Sequence, residues 1–419
     1  MNIGIIIPQS KFFGGGPHLA LELGQQLKKL GHVITVYTFH HAEDPDGTYN
    51  TLLRGIKLVS LPPETKRGKS NFWTRLPLPG MSTLTTYFDD HHRAQMLAAL
   101  IDPHTEALLP QSNRVSVLTA YYFKKRVKKV PAVWQMNDLV TYTHKRCYVE
   151  SWTENSCSPF ARFVWGTLDW IDRKYLPAID EISVLSHIIE GQARRGLNRK
   201  ATVLRSGVNA EHFTYRKRQA PHKRRITLLS HAQFFRHRRF ENVVSALGIL
   251  VKRGYDVELI LSGDSNTYRP YRAYRDELKN LAESLGVDDR LHIPGRVTEE
   301  RLLNEFHTSD IFVFADFKQS WGLVPFEAMA TGLPVVASDE AGASEVLTNN
   351  ENALIAAARE PAAIADAVAR LIDNPELYEK ISSNGAVFVR TDITWEKFAK
   401  NTLALVEKHR NTNRDVKPA

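Results

Sequence analysis

The chain has 419 residues, 43% of them apolar and 24% charged, with seven Trp; this excludes a disordered or fibrous protein and predicts about two globular domains. Its 55 Lys and Arg against 46 Asp and Glu leave a net charge of +9, which favours anionic ligands or surfaces. The two cysteines, Cys147 and Cys157, form no C-x-x-C pair and read as free thiols, which excludes a disulfide scaffold.

The opening MNIGIIIPQS has no basic leader and reads as a first buried strand over 3–8. No uncharged apolar run approaches the roughly 20 residues that span a bilayer, so the expected location is the cytoplasm. A loop with Gly14, Gly15 and Gly16 leads into a helix whose Leu19, Leu23, Leu27 and Leu30 share one face. Gly31 ends that helix and 33–37 is the next strand. The glycine spacing is not the dinucleotide fingerprint, so NAD is not expected.

Residues 61–93 carry Pro62, Pro63, Gly68, Pro77, Pro79 and Gly80 among Phe72, Trp73, Leu76 and Leu78, and read as a long irregular segment. Strands are expected at 115–119, 130–135 and 181–185, with the basic run Lys124, Lys125, Arg126, Lys128 and Lys129 between the first two. A domain boundary is expected at 214, where a stretch rich in Lys and Arg and free of acids begins. Beyond it strands at 226–230, 257–261, 291–293 and 311–315 alternate with helices, the pattern of a second doubly wound α/β domain. The domains are therefore placed at 1–213 and 214–392, with a last helix over 393–410, carrying Trp395 and Phe398, returning to the first.

The most informative stretch is QSWGLVPFEAMATGLPVVASDEAGASEVL, 319–347. Gly322 lets backbone approach a ligand, Pro325 suits a first helical turn, Glu327 falls in that turn and Gly332 stops the helix before a buried strand. Ligands of such sheets lie outside the carboxyl ends of the strands, where Gly263-Asp264, Gly295-Arg296 and 319–323 all fall. Free amides and a helix N-terminus there favour an anion, with phosphate the expected one.

Taken with FFGGGPHLALELGQQLKKLGHVITVYT, TVLRSGVNAEHF and VELILSGDS, this stretch resembles the retaining glycosyltransferases of family 4, the glycosyl transferases group 1. The resemblance implies an α/β GT-B fold, two Rossmann-like domains facing a central cleft, with the donor held by the second domain and the acceptor by the first. It implies a retaining hexosyltransferase taking mannose or glucose from a GDP- or UDP-sugar to a glycan, lipid-linked or small-molecule acceptor, with no cofactor and no metal. Glu327 matches the family glutamate that accepts hydrogen bonds from ribose hydroxyls, and Gln319 stands where relatives carry a second glutamate. Gln233 and Arg238 stand at the basic pair that faces the donor diphosphate, which makes Arg238 the first candidate there and Arg236 its helper. Asn137, before Asp138, replaces a histidine near the reaction centre.

The catalytic candidates are thus Arg238, Gln319 and Asn137, and the donor-binding candidates Gly15, Gly16, Arg236, Gly263, Arg296, Gly322, Leu323 and Glu327. Two alternatives share the architecture, a nucleotide-sugar epimerase and a sugar-nucleotide binder with weakened catalysis. Expected partners are the nucleotide sugar, a glycan or lipid-linked acceptor and the anionic inner face of a membrane. Nucleic acid is not expected, since the basic runs belong to no recognised module.

Overall fold

The computed structural model describes residues 1–8, 15–40, 48–62, 81–137, 159–221 and 225–415. Gly14, Phe72, Trp73, Leu76, Leu78, Asp138, Cys147 and Cys157 lie outside the described residues. Contacts divide the chain into two compact units, Met1–Ser206 with Trp395–Ala419, and Gly207–Thr394.

The first unit runs β1 (Asn2–Ile7), α1 (Gly15–Lys29), β2 (Val33–Thr38), α2 (Thr48–Leu52), β3 (Lys57–Ser60), α3 (Met81–Leu100) and β4 (Ala107–Pro110). It continues with α4 (Arg114–Arg126), β5 (Val133–Gln135), α5 (Pro159–Asp172), a 3-10 turn (Arg173–Ala178), β6 (Glu181–Val184), α6 (His187–Leu197) and β7 (Thr202–Val203). The strands are parallel in the order β3-β2-β1-β4 and β5-β6-β7, and bridges Leu108–Ala132 and Gln111–Gln135 join the two sets. Ile6, Leu108, Trp134 and Ile182 are buried with Val117, Phe123 and Ile189 of the covering helices, as a parallel sheet with both faces covered requires.

The second unit runs β8 (Ile226–His231), α7 (Phe240–Lys252), β9 (Val257–Ser262), α8 (Arg269–Leu285), β10 (Leu291–Gly295), α9 (Glu299–Thr308) and β11 (Ile311–Phe314). There follow α10 (Val324–Ala330), β12 (Val335–Ser338), β13 (Leu354–Ala356), α11 (Pro361–Asp373) and α12 (Pro375–Asp392). Its sheet is parallel in the order β10-β9-β8-β11-β12-β13, the Rossmann arrangement with its topological switch between β8 and β11. The last helix, α13 (Trp395–Asp415), belongs to the first unit, where Lys408 and His409 reach Glu181 at 3.0 and 2.9 Å and Arg410 reaches Glu106 at 2.8 Å.

Two expectations are corrected. Residues 115–119 are not a strand but lie inside α4, whose N-terminus is capped by Asn113 accepting from the Ser116 amide at 3.4 Å. The strand is the four-residue ALLP before it, buried throughout; short apolar runs do not separate strand from buried helix by period. The irregular segment expected over 61–93 ends in helix, since 81–93 belong to α3. There Tyr87, His91, Ala94 and Leu97 repeat at helical spacing, and two of the four are polar-tipped aromatics that hide the apolar period.

Those two helices are tied by a buried ionic network. The Arg114 guanidinium pairs with Asp172, donates to Asp90 at 2.9 Å and to His91 Nε2 at 3.1 Å, while Tyr87 Oη donates to Asp172 at 3.1 Å. His91 Nε2 must accept from the guanidinium, so the ring is neutral and its Nδ1–H donates to Tyr122 Oη at 2.9 Å. Burial, and then the Arg114 and Lys174 charges, lower its pKa to about 4. Removing one partner strands a buried charge, so Arg114→Met is expected to cost about 3–5 kcal/mol, read as a lowered urea midpoint. A loss below about 1 kcal/mol would show that the network is not a source of stability.

Candidate functional site

In the second unit the chain leaves β8 and β11 at the switch and turns to opposite sides of the sheet. The loop after β8 is bound to its neighbours by backbone: Ala232 N donates to Ser262 O at 3.1 Å, Phe234 N to Asp264 O at 3.1 Å, and His237 O accepts from Phe317 N at 2.7 Å. Gly263 makes this possible. Its φ is +130°, and a Cβ would lie 1.8 Å from the Ala232 carbonyl oxygen, so no side chain is tolerated there.

Arg238, from a 3-10 turn over Arg236–Arg238, forms an ion pair with Asp316, the second residue beyond β11. Burial pushes the Asp316 carboxyl up to about 6 against the pull of Arg238. His231, at the end of β8, is lowered to about 4 by burial and by Arg238, and its Nδ1 lies 2.8 Å from Ser262 Oγ. Beyond Asp316, Phe317 is buried beneath three cations: Arg359 at 4.4 Å, Lys318 at 4.8 Å and Arg239 at 5.0 Å from its ring centre.

The 319–323 turn is anchored to the 3-10 turn after β12 (Gly342–Val346), with Gln319 O accepting from Gly342 N at 2.9 Å and Trp321 O from Ala343 N at 3.0 Å. Gly322 has φ +93°, and the Phe314 ring stands 2.5 Å from where its Cβ would be. Its missing side chain is therefore required by the core beneath the turn. Leu323 begins α10, its carbonyl accepting from Phe326 and Glu327 at 2.9 and 3.0 Å, and Pro325 occupies the first turn. Glu327 is half-buried, and among the described residues no side-chain hydrogen bond or ion pair engages its carboxylate. Burial, with the nearby Glu299 charge, pushes it up to about 8.

The sequence-derived candidates separate into clear groups. Arg238, Gln319, Gly322 and Leu323 lie on the two loops of the switch, Glu327 lies in the first turn of α10 that follows the second loop, and Gly263 underlies the first. Arg236 turns to Glu277 at 2.7 Å and stacks on Tyr274 at 5.3 Å, half in solvent. Arg296 is exposed after β10.

In the first unit Gly15 and Gly16 open α1, and a Cβ on Gly16 would stand 3.4 Å from both Asn137 Nδ2 and Ser112 Oγ. Asn137 donates to Ser112 Oγ at 2.8 Å, and Gln135 Nε2 reaches Asn137 Oδ1 at 3.5 Å. Ser112 is held at φ +59° by its amide bond to Gln135 O at 2.8 Å and by the Trp134 indole donating to its carbonyl at 3.1 Å. So the carboxyl ends of β4 and β5 and the start of α1 present one cluster: Gly16, Ser112 and Asn137.

Ser112 and Asp316 were not singled out by the sequence. Asp316 carried one usable signal, an acid directly beyond a buried strand. Ser112 carried none, since its left-handed backbone is imposed by tertiary bonds.

Residues 211–388 match the family described as glycosyl transferases group 1. The second unit belongs to that family. Within it, a 140-residue stretch is 34% identical to the lipopolysaccharide core biosynthesis mannosyltransferase LpsB of Rhizobium meliloti, over 33% of this chain and 39% of that protein. This chain therefore spans about two fifths of the curated relative that it matches. The likeness in fold extends beyond the matched segment. Sucrose-phosphate synthase from Thermosynechococcus elongatus superposes with TM-score 0.72 at 18% identity, over 98% of this chain and 99% of that one. HepE of Anabaena, in complex with UDP and glucose, gives 0.69 at 14% identity over 97% and 100%. The chain has the α/β GT-B fold.

The raised carboxyl generates a prediction. A folded pKa of about 8 for Glu327 adds stability below the unfolded value near 4.5, and that stability is lost as pH rises toward 8. Glu327→Gln lacks this loss, so the melting temperature of the variant relative to the natural protein is expected to rise by about 5 °C between pH 5 and pH 9. A pH-independent difference would show that the carboxyl is not strained by its surroundings.

Proposed function

We propose that this protein is a retaining glycosyltransferase that moves a hexose of mannose or glucose type from a GDP- or UDP-sugar to a glycan, lipid-linked or small-molecule acceptor. The observation that carries this reading is Glu327, a half-buried carboxylate without a side-chain partner among the described residues, beside the Gly322-Leu323 turn at the switch of a glycosyl transferases group 1 domain. HepE, of the same fold, is described with UDP and glucose, which supports a nucleotide sugar as donor.

In this reading Glu327 accepts hydrogen bonds from two ribose hydroxyls, a task for a group with four acceptor sites and no donor. Arg238 faces the diphosphate and stabilises the charge that develops as the glycosidic bond breaks. Asp316 holds that guanidinium in place beforehand, so it need not be ordered by the ligand. Gly263, Gly322 and Leu323 supply backbone close to the donor, Arg236 and Arg296 flank it, and Gly15 and Gly16 add amides. Gln319 and Asn137 give neutral hydrogen bonds to sugar hydroxyls; neither can serve as acid or base near pH 7. Proton transfer from the acceptor hydroxyl is therefore assigned to the donor's own phosphate on the same face of the sugar, which gives retention. No separate cofactor or metal is assigned. The work is placed in the cytoplasm, at the inner face of the membrane where the acceptor is lipid-linked.

Calorimetric titration with UDP, GDP and their hexose derivatives tests the donor. Glu327→Ala is expected to weaken the preferred nucleotide sugar at least tenfold, about 1.4 kcal/mol, with the fold retained by circular dichroism. Arg238→Ala is expected to lower kcat more than it raises KM, since its charge acts on the leaving group. Binding of no nucleotide sugar, or unchanged affinity in Glu327→Ala, would overturn the assignment; tight binding without transfer to any acceptor would favour a binder with weakened catalysis.

A further inference from the structure

The ring of Phe317, 2% exposed, is met by three cations from separate segments of the second unit: Arg239 before α7, Lys318 after β11 and Arg359 after β13. Arg359 Cζ lies 4.4 Å, Lys318 Nζ 4.8 Å and Arg239 Cζ 5.0 Å from the ring centre. No two of these charges are therefore more than about 10 Å apart, roughly one screening length in dilute salt, so they act together on an approaching anion. A ring has two faces, so at least two of the three share one side. A single cation over an aromatic ring is ordinary; three on one ring repel one another, and an anion between them reverses that.

The three segments are tied to one another by hydrogen bonds. Phe317 N donates to the carbonyl of His237, two residues before Arg239, at 2.7 Å, and Lys318 N donates to Glu340 O at 3.1 Å. Asn242 Nδ2, in the first turn of α7, donates at 2.7 Å to the carbonyl of Ala358, the neighbour of Arg359. The Ala358 amide donates to Asp339 Oδ1 at 2.9 Å. Arg239 and Lys318 stand at φ +52° and +51°, where glycine or asparagine would be less strained. A long cationic side chain held on strained backbone calls for a reason, and at both positions it reaches the same ring.

The carboxylates alongside hold two of these cations by partly exposed contacts. Arg239 reaches Glu241 at 3.3 Å, a carboxylate that also accepts from Tyr274 Oη, and Arg359 reaches Glu340 at 3.3 Å. Pairs of this kind contribute little and yield to a better partner. The Nε–H of Arg239 is buried and donates to nothing among the described residues. Arg238, one residue away, differs, since its guanidinium is committed to the buried Asp316.

We propose that Arg239, Lys318 and Arg359 form a second anion site, one that takes a phosphate or carboxylate carried on a sugar. Two guanidinium groups offer forked donors to the oxygens of such an anion, and the ammonium adds a point charge. Arg239 directly follows Arg238 and Lys318 directly precedes Gln319, so the site adjoins the loops assigned to the donor. Its occupant is a substituent of a reacting sugar, not the diphosphate that Arg238 faces. That a sugar carries the anion rests on the glycosyl-transfer reading; the site itself does not.

The test is calorimetric titration of the full chain, saturated with UDP or GDP so that Arg238 is occupied, with glucose, mannose, their 6-phosphates and inorganic phosphate. Beside it, UDP-glucose is compared with UDP-glucuronate, and GDP-mannose with GDP-mannuronate, on the unloaded protein. At least one anionic sugar is expected to bind about ten times more tightly than its neutral counterpart. Preference for a hexose 6-phosphate puts the anion on the acceptor, and preference for a nucleotide uronate puts it on the transferred sugar. Arg359→Gln is expected to reduce that preference about tenfold, as is Arg239→Gly/Lys318→Gly, in which glycine accepts the left-handed backbone, while affinity for UDP or GDP changes less than about twofold. The melting temperature of the glycine variant is expected to stay level or rise. No preference for any anionic sugar, or a preference that survives both variants, overturns the proposal. So does a fall in melting temperature with the preference intact, which would show that the cations only brace the loops. If no nucleotide binds, the donor reading fails and the site is judged on inorganic phosphate alone: binding weakened in Arg359→Gln supports it, and unchanged binding overturns it.

Discussion

The Arg238–Asp316 ion pair is the contact on which the second unit's candidate site depends. At the switch of a doubly wound sheet, adjacent strands send their chains to opposite faces, and the two loops would separate without a bond across them. Here the Phe317 amide reaches His237 O at 2.7 Å and the guanidinium closes on the carboxylate beside it. Burial lifts the Asp316 carboxyl to about 6, and burial of His231 together with the Arg238 charge lowers that ring to about 4. An ion pair in such surroundings adds little net stability. Its contribution is geometric: it fixes a cation where the sheet leaves a crevice.

The same arrangement recurs in the first unit with neutral groups. Ser112, at the carboxyl end of β4, accepts a hydrogen bond from Asn137, and a Cβ on Gly16 would touch both side chains. Backbone strain marks both places. Among the described non-glycine residues with positive φ, Ser112, Arg239 and Lys318 are not the asparagines that tolerate this region, and each sits on a loop at the carboxyl edge of a sheet. Left-handed backbone at such residues persists only where surrounding bonds over-determine it, and at Ser112 those bonds are its own amide to Gln135 and its carbonyl to Trp134.

How much of this was legible in the sequence follows from how local each signal is. Pro325 in the first turn, Gly332 after the last and the apolar run of β12 are encoded within a few residues of one another, and α10 and β12 appear where they were read. Gly322 was legible as a special position, although the neighbour that demands it is Phe314, eight residues back on β11. Residues 115–119 were misread because a buried α4 and a buried strand share an apolar surface, and α3 was missed because polar-tipped Tyr87 and His91 occupy its core face. Asp316 and Ser112 take their meaning from partners 78 and 25 residues distant, a range at which single-sequence patterns carry no information.

The charge state of the candidate site ties these observations together. Glu327, with a pKa near 8, is largely protonated at neutral pH in the absence of a ligand, and Asp316 is spent on Arg238. Neither carboxyl then offers a free negative charge, and Gln319 adds none. In the proposed reading, a donor diphosphate at this edge meets Arg238 and backbone amides and no free ionised carboxylate. Hydroxyl groups donating to Glu327 would stabilise its ionised form and lower its pKa, so in the proposed reading ligand binding and proton release are coupled at this one residue. In that reading a half-buried carboxyl that ionises only when a diol arrives distinguishes a ligand with two adjacent hydroxyls from one with none.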